Sequence, residues 1–119
     1  MTSMDGITSK ISYLGDSSKT QWVMDGEAVV YDDTILLTMA AGSVGTVLAS
    51  STYLWYGRVS ATLKTSKDAG VVTAFILLSD VKDEIDYEFV GTELTTAQTN
   101  FYWQAVPDCG SQPFHTHAI

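Results

Sequence analysis

Period-two alternation of polar and apolar positions dominates this chain, and no stretch carries the 3.6-residue period of an amphipathic helix. In Gly57–Thr65, Val59, Ala61 and Leu63 share one side of an extended backbone, while Arg58, Ser60, Thr62 and Lys64 share the other. Val71–Leu78 is apolar on both sides apart from Thr73, the pattern of a central strand covered on each face. Asp83–Val90 alternates again, acids against large apolar groups. Strands are predicted near Lys10–Leu14, Gln21–Met24, Ala28–Tyr31, Thr34–Met39, Thr46–Ala49, Tyr56–Thr65, Val71–Leu78, Asp83–Val90 and Gln98–Val106. Many short strands at about ten-residue spacing indicate an all-β sandwich or barrel.

Turn residues punctuate the runs at Asp25-Gly26, Asp32-Asp33 and Lys67-Asp68-Ala69-Gly70. The last of these joins Tyr56–Thr65 to Val71–Leu78 as an expected antiparallel hairpin. Residues 108–119 (DCGSQPFHTHAI) lack a strand pattern and are expected to form a poorly ordered tail after residues 1–107. Trp22 and Trp55 are expected in the core.

With 119 residues the chain is of one-domain size. Six Lys and Arg against fourteen Asp and Glu give a formal charge of −8, a field that repels phosphate backbones and anionic lipid. Nucleic acid and membrane surfaces are therefore poor partners, whereas neutral sugars are compatible. The longest apolar stretch is far too short to span a bilayer, and the N-terminal residues show no secretory signal. One cysteine, Cys109, excludes an internal disulfide and a zinc site built on several thiolates. His115 and His117 form a His-x-His pair, but with Cys109 they make only three ligands on no regular element, so neither a metal site nor a cofactor is expected.

The run Asp83-Glu84-Ile85-Asp86-Tyr87-Glu88-Phe89-Val90 concentrates the chemistry. On a strand Glu84, Asp86 and Glu88 project from one face, and Ile85, Tyr87 and Phe89 enter a core from the other. Like charges spaced by two residues oppose sheet formation, so three readings stand side by side. One is a solvated outer strand; another is a hard-cation site, which a straight strand builds poorly. The third is a carboxylate pair for glycosyl transfer with a third acid tuning it. Retaining glycosidases need a carboxylate nucleophile and a protonated carboxyl about 5–5.5 Å apart. Neighbouring negative charge keeps one member protonated. The Cα atoms of Glu84 and Glu88 lie about 13 Å apart on an ideal strand, so the side chains must lean together.

This run, with Gly91 after it, closely resembles the active-site strand of family 16 glycoside hydrolases. The match is to the subgroup with an unbulged Glu-x-Asp-x-Glu strand: fungal cell-wall transglycosylases, xyloglucan endotransglycosylases and licheninases. Tyr56-Gly57-Arg58-Val59-Ser60-Ala61, Gly70–Ser79 and Gln98-Thr99-Asn100 resemble flanking segments of the same family. The resemblance implies a concanavalin A-like jelly roll, an antiparallel β-sandwich of which this chain carries about half. It implies Glu84 as nucleophile, Glu88 as general acid/base and Asp86 as modulator of the nucleophile. It also implies a β-linked polysaccharide as substrate, β-glucan or chitin-glucan in type, and a secreted or cell-wall location. Gln98, Asn100, Tyr102 and Gln104 are expected on one face of the next strand, where they would line a sugar subsite. Family domains are about twice this length, so the chain reads as a truncated catalytic domain, with exposed edges open to self-association. A non-catalytic sugar-binding sandwich and an inactive gene product are the alternatives.

Overall fold

Extended segments become ladders wherever a neighbouring segment supplies an edge. In the computed structural model, which describes residues 6–9, 12, 15–104, 106–107 and 115–118, ten strands follow one another and no helix occurs among the described residues. They are β1 (Ile7–Ser9), β2 (Trp22–Asp25), β3 (Glu27–Tyr31), β4 (Thr34–Thr38), β5 (Val47–Ser50), β6 (Val72–Leu78), β7 (Glu84–Val90), β8 (Thr96–Trp103), β9 (Val106–Pro107) and β10 (His115–Ala118). No helix among the described residues is long and apolar enough to cross a membrane. The chain divides into two units, Met1–Val59 and Ser60–Ile119.

In the first unit β2 pairs parallel to β1 and antiparallel to β5, while β3 and β4 form a separate hairpin. Asp32 makes the hairpin turn with φ 53°, a left-handed conformation that Asp tolerates better than most residues, and Thr34 Oγ1 donates to the Tyr31 carbonyl at 2.7 Å. The Asp25-Gly26 signal works through Gly26, whose φ of 105° carries the chain from β2 into β3. A Cβ there would collide with Thr46, whose hydroxyl accepts the Glu27 N–H at 2.8 Å. The strand expected at Lys10–Leu14 falls mostly on residues outside those described. Ser12 is in a turn, and the nearest strand is β1.

The second unit holds the sheet that matters for chemistry. Its order is β10-β8-β7-β6, with β9 also paired to β8, and every pairing is antiparallel. The loop from β6 to β7 closes on itself: Ser79 N–H donates to the Asp83 carbonyl at 2.9 Å, and Asp83 N–H donates to Ser79 Oγ at 2.9 Å. At the far end of β7, Gly91 is buried and donates its N–H to the Val71 carbonyl at 2.9 Å. The Asp68 backbone crosses so close that a Cβ at Gly91 would overlap its carbonyl oxygen. The glycine that ends the acidic run is thus required by the crossing of the Lys67–Gly70 turn.

Five expectations change. Tyr56–Thr65 is not a strand, and the hairpin with Val71–Leu78 does not form. Alternation assigns faces but supplies no ladder; just past this stretch Ser66 N–H donates to Thr73 Oγ1 of β6 at 3.2 Å. β6 is consequently an edge strand rather than a central one, with Val72, Ile76, Leu77 and Leu78 exposed. The strand expected over Gln98–Val106 breaks at Gln104, whose φ of 50° ends β8 before β9 begins. Residues 115–118 of the expected disordered tail form β10, which lies along Thr96–Thr99 of β8. Trp22 and Trp55 are exposed, Trp55 at 92 %, rather than in the core.

Candidate active site

Ladders on both sides of β7 fix its acids. Glu84, Asp86 and Glu88 stand opposite Leu78, Ile76 and Ala74 of β6, and opposite Tyr102, Asn100 and Gln98 of β8. Directly opposed residues of an antiparallel pair share a face, so these nine residues form one surface. The pairing steps evenly through both ladders, so β7 has no bulge over the acids and the glutamates must approach through their side chains. Every cross-strand neighbour of an acid is uncharged. A salt-bridge ladder is therefore not what holds the row in place.

Burial distinguishes between the readings of the row. Asp86 is 3 % exposed, Glu84 and Glu88 are half-buried, and so are Gln98, Asn100 and Tyr102. A solvated outer strand would leave its acids open to water. Asp86 Oδ1 is buried with no hydrogen-bond partner, an expensive state for a carboxylate. Glu84 responds to this crowding. Its pKa is raised above the ordinary 4.5, first by burial, then by a hydrogen bond with Asp86, then by the charges of Asp86 and Glu88. Burial and mutual charge thus make the carboxyls of the row unequal, the raw material of acid–base chemistry.

The opposite face is drier in composition and wetter in exposure. Ile85 and Tyr87 do not enter a core: both remain about half exposed, with only Phe89 of the three partly covered. Their exposure corrects the expectation that they are buried behind the acids.

Of the four residues expected along the next strand, β8 places Gln98, Asn100 and Tyr102 on the acidic face. Gln104 does not join them. It lies past the end of β8 in left-handed backbone, its N–H donating to Asp83 Oδ1 at 3.0 Å. Sequence reasoning overlooked Ala74, Ile76 and Leu78 as the apolar flank of the acid row; the two-sided apolarity of Val71–Leu78 was the available signal. Among the described residues no group of three or more His, Cys, Asp and Glu side chains is arranged to hold a metal ion. His117 Nε2 lies 3.1 Å from Thr99 Oγ1.

The described residues thus combine strands without helices and a partly buried carboxylate row beside neutral amide and phenol groups. The chain belongs to the glycosyl hydrolases family 16, whose model matches residues 16–118. Crh-like protein 3 of Botryotinia fuckeliana is 69 % identical over 105 residues, covering 88 % of this chain and 24 % of that protein. Crh-like protein 2 of Aspergillus fumigatus is 55 % identical over 107 residues, 90 % of this chain and 24 % of that protein. Congo red hypersensitive protein 2 of Saccharomyces cerevisiae is 54 % identical over 97 residues, 80 % and 21 %. The chain thus spans about a quarter of the length of the curated relatives it matches. No solved structure matches it. The helix-free, largely antiparallel strands agree with the jelly-roll sandwich of the family.

Proposed function

We propose that this chain carries the catalytic strand of a retaining β-glycan hydrolase or transglycosylase acting on cell-wall polysaccharide, secreted or held at the wall. The observation that carries the reading is the acid row itself: three carboxylates share one face, one almost fully buried, with no opposing cation across either ladder. Selection for stability alone removes such a row, because burying charge without a partner is costly.

In the proposed reaction Glu84, ionised, attacks the anomeric carbon, while Glu88 gives its proton to the departing glycosidic oxygen. The bond to the leaving sugar breaks as the glycosyl–Glu84 ester forms. Glu88, now a carboxylate, takes the proton of an incoming water or sugar hydroxyl. That oxygen attacks the anomeric carbon and releases Glu84. Asp86 holds the other end of the hydrogen bond to Glu84 and so modulates the nucleophile. Gln98, Asn100 and Tyr102 offer uncharged hydrogen-bonding groups on the same face, suited to sugar hydroxyls.

The test replaces the matching segment of Crh-like protein 3 with residues 16–118 of this chain and measures hydrolysis and transfer on β-glucan and chitin oligosaccharides. Activity in the chimera, reduced at least about a thousandfold by Glu84→Gln, is the expected result, since losing a nucleophile or general acid costs at least the ~10²–10⁴ of acid–base catalysis. Glycan binding with no product would identify a binding sandwich instead. Equal turnover with and without Glu84→Gln would remove the nucleophile assignment.

A further inference from the structure

Glu84 is the first residue of β7, and both ladders stop with it, at Leu78 on one side and Tyr102 on the other. Glu88, by contrast, is followed by Phe89 and Val90, which continue the ladder with β6. The end of a strand opens more readily than its interior. Asp83, half-buried just outside β7, holds that end from both sides. Its N–H donates to Ser79 Oγ at 2.9 Å, and its carbonyl accepts the Ser79 N–H at 2.9 Å. Its Oδ1 accepts the Gln104 N–H at 3.0 Å. Ser79 follows β6 and Gln104 follows β8, so one residue ties both neighbours of β7 at the level where strand pairing ceases. Taking Glu84 as the nucleophile of the reaction above, we propose that Asp83 is a positioning residue, which fixes the backbone from which the attacking carboxyl reaches.

The backbone around this clamp supports the role. Lys82, immediately before Asp83, has φ 66°, and Gln104 has φ 50°. Neither is a glycine, and such residues persist in left-handed conformation where surrounding bonds over-determine them. Here the Lys82 N–H donates to the Ser79 carbonyl at 3.0 Å, and the bond from Gln104 to Asp83 joins the two turns. The Asp83 carboxylate is thereby engaged with the end of β8 instead of joining the acid row. Precision at Glu84 matters because β7 has no bulge to bring its glutamates together. Their side chains span the gap from a fixed backbone, and a misplacement of about 1 Å costs a reaction on the order of a hundredfold. Only an acceptor oxygen at the right reach is required of residue 83, so its charge is dispensable while its length is not.

The experiment measures kcat, KM and thermal melts for Asp83→Ala, Asp83→Asn and Asp83→Glu in the chimera with Crh-like protein 3. Asp83→Ala lowers kcat about ten- to a hundredfold while KM stays within about twofold, the pattern of a lost transition-state geometry. Asp83→Asn keeps an oxygen for the Gln104 N–H at the same reach and restores kcat to within roughly threefold of the unmutated chimera. Asp83→Glu keeps the charge but moves the oxygens by one methylene, and it is slower than Asp83→Asn. In the 119-residue chain, hydrogen exchange at the Gln104 amide accelerates in Asp83→Ala and not in Asp83→Asn. If Asp83→Ala does not melt cooperatively, the order of Asn and Glu decides, and Glu equal to or faster than Asn overturns the proposal. An active chimera that Asp83→Ala leaves unchanged overturns the positioning role alone, as does a rise in KM at constant kcat. An unmutated chimera without turnover removes the functional reading, and the positioning role with it.

Discussion

Asp86→Asn should stabilise this chain at neutral pH, because the carboxylate it removes is 3 % exposed and has one oxygen without a partner. Glu84 and Glu88 flank it two residues away on the same face, about 6.6 Å along the strand at ~3.3 Å per residue. At an effective dielectric near 20, two unit charges at that distance repel by roughly 2.5 kcal/mol. Half exposure of both glutamates reduces this, so about 1–2 kcal/mol is the expected net gain for the neutral amide. For a unit of this size that corresponds to a rise in Tm of roughly 5–10 °C. The sign is set by the raised pKa of Glu84. Folded chains hold its proton more tightly than unfolded ones, so its contribution to stability is fully present below 4.5 and is lost as pH rises through the folded value. Asp86→Asn removes two of the causes of that shift, so its advantage should be largest near pH 7 and should shrink as the acids protonate. Thermal melts of both proteins, followed by circular dichroism at fixed concentration across pH 4–7.5, measure this. An equal difference at every pH, or a loss of stability at pH 7, refutes the view of the row as stored repulsion.

Two further outcomes follow from the same geometry. Gly91→Ala should destabilise the second unit by about 1–3 kcal/mol, the usual cost of forcing atoms into a filled site, because its Cβ overlaps the Asp68 carbonyl. Urea denaturation checks it, and an unchanged midpoint would mean that the Lys67–Gly70 turn moves aside freely. In the catalytic chimera, the acidic limb of kcat/KM should move to lower pH in Asp86→Asn, because burial then remains as the main influence holding the Glu84 proton. A limb that stays in place while the rate falls would assign Asp86 a role other than setting that proton's affinity.

The acidic strand was legible because all its information is local. Glu84, Asp86 and Glu88 share a face by the period of the backbone, and the only requirement on the rest of the fold is that residues 84–90 be extended, which they are. Partners on β8 were legible for the same reason as far as Tyr102. Gln104 was not, since nothing in Tyr102-Trp103-Gln104 announces the left-handed φ that ends the strand. Tyr56–Thr65 shows the converse. Its alternation is the cleanest in the chain, but a strand exists only against another edge, and which edge is a non-local fact. β10 was hidden in the same manner: His115-Thr116-His117-Ala118 has no apolar alternation, and its pairing comes from the free side of β8.

Burial was the least legible property, and its inversion ties the chemistry to the stability of the sheet. Period two predicts which residues sit together, not which of the two faces is covered. Here Asp86 is withdrawn from solvent while Ile85 and Tyr87 beside it stay half exposed. The withdrawal accords with the ladders: β6 and β8 flank β7 on both sides, Asp86 stands in the middle of the row opposite Ile76 and Asn100, and Glu84 and Glu88 lie at its ends. That graded access is what three equivalent carboxyls need to become unequal. The central one is insulated and bound to its neighbour, while the outer two remain open to a ligand. Moving the row one residue along β7 would put Ile85 in the centre and dissolve the inequality, even with the same residues in the same strand. The register of β7 against β6 and β8, more than the identity of the acids, is therefore the feature on which a division of labour between Glu84 and Glu88 depends.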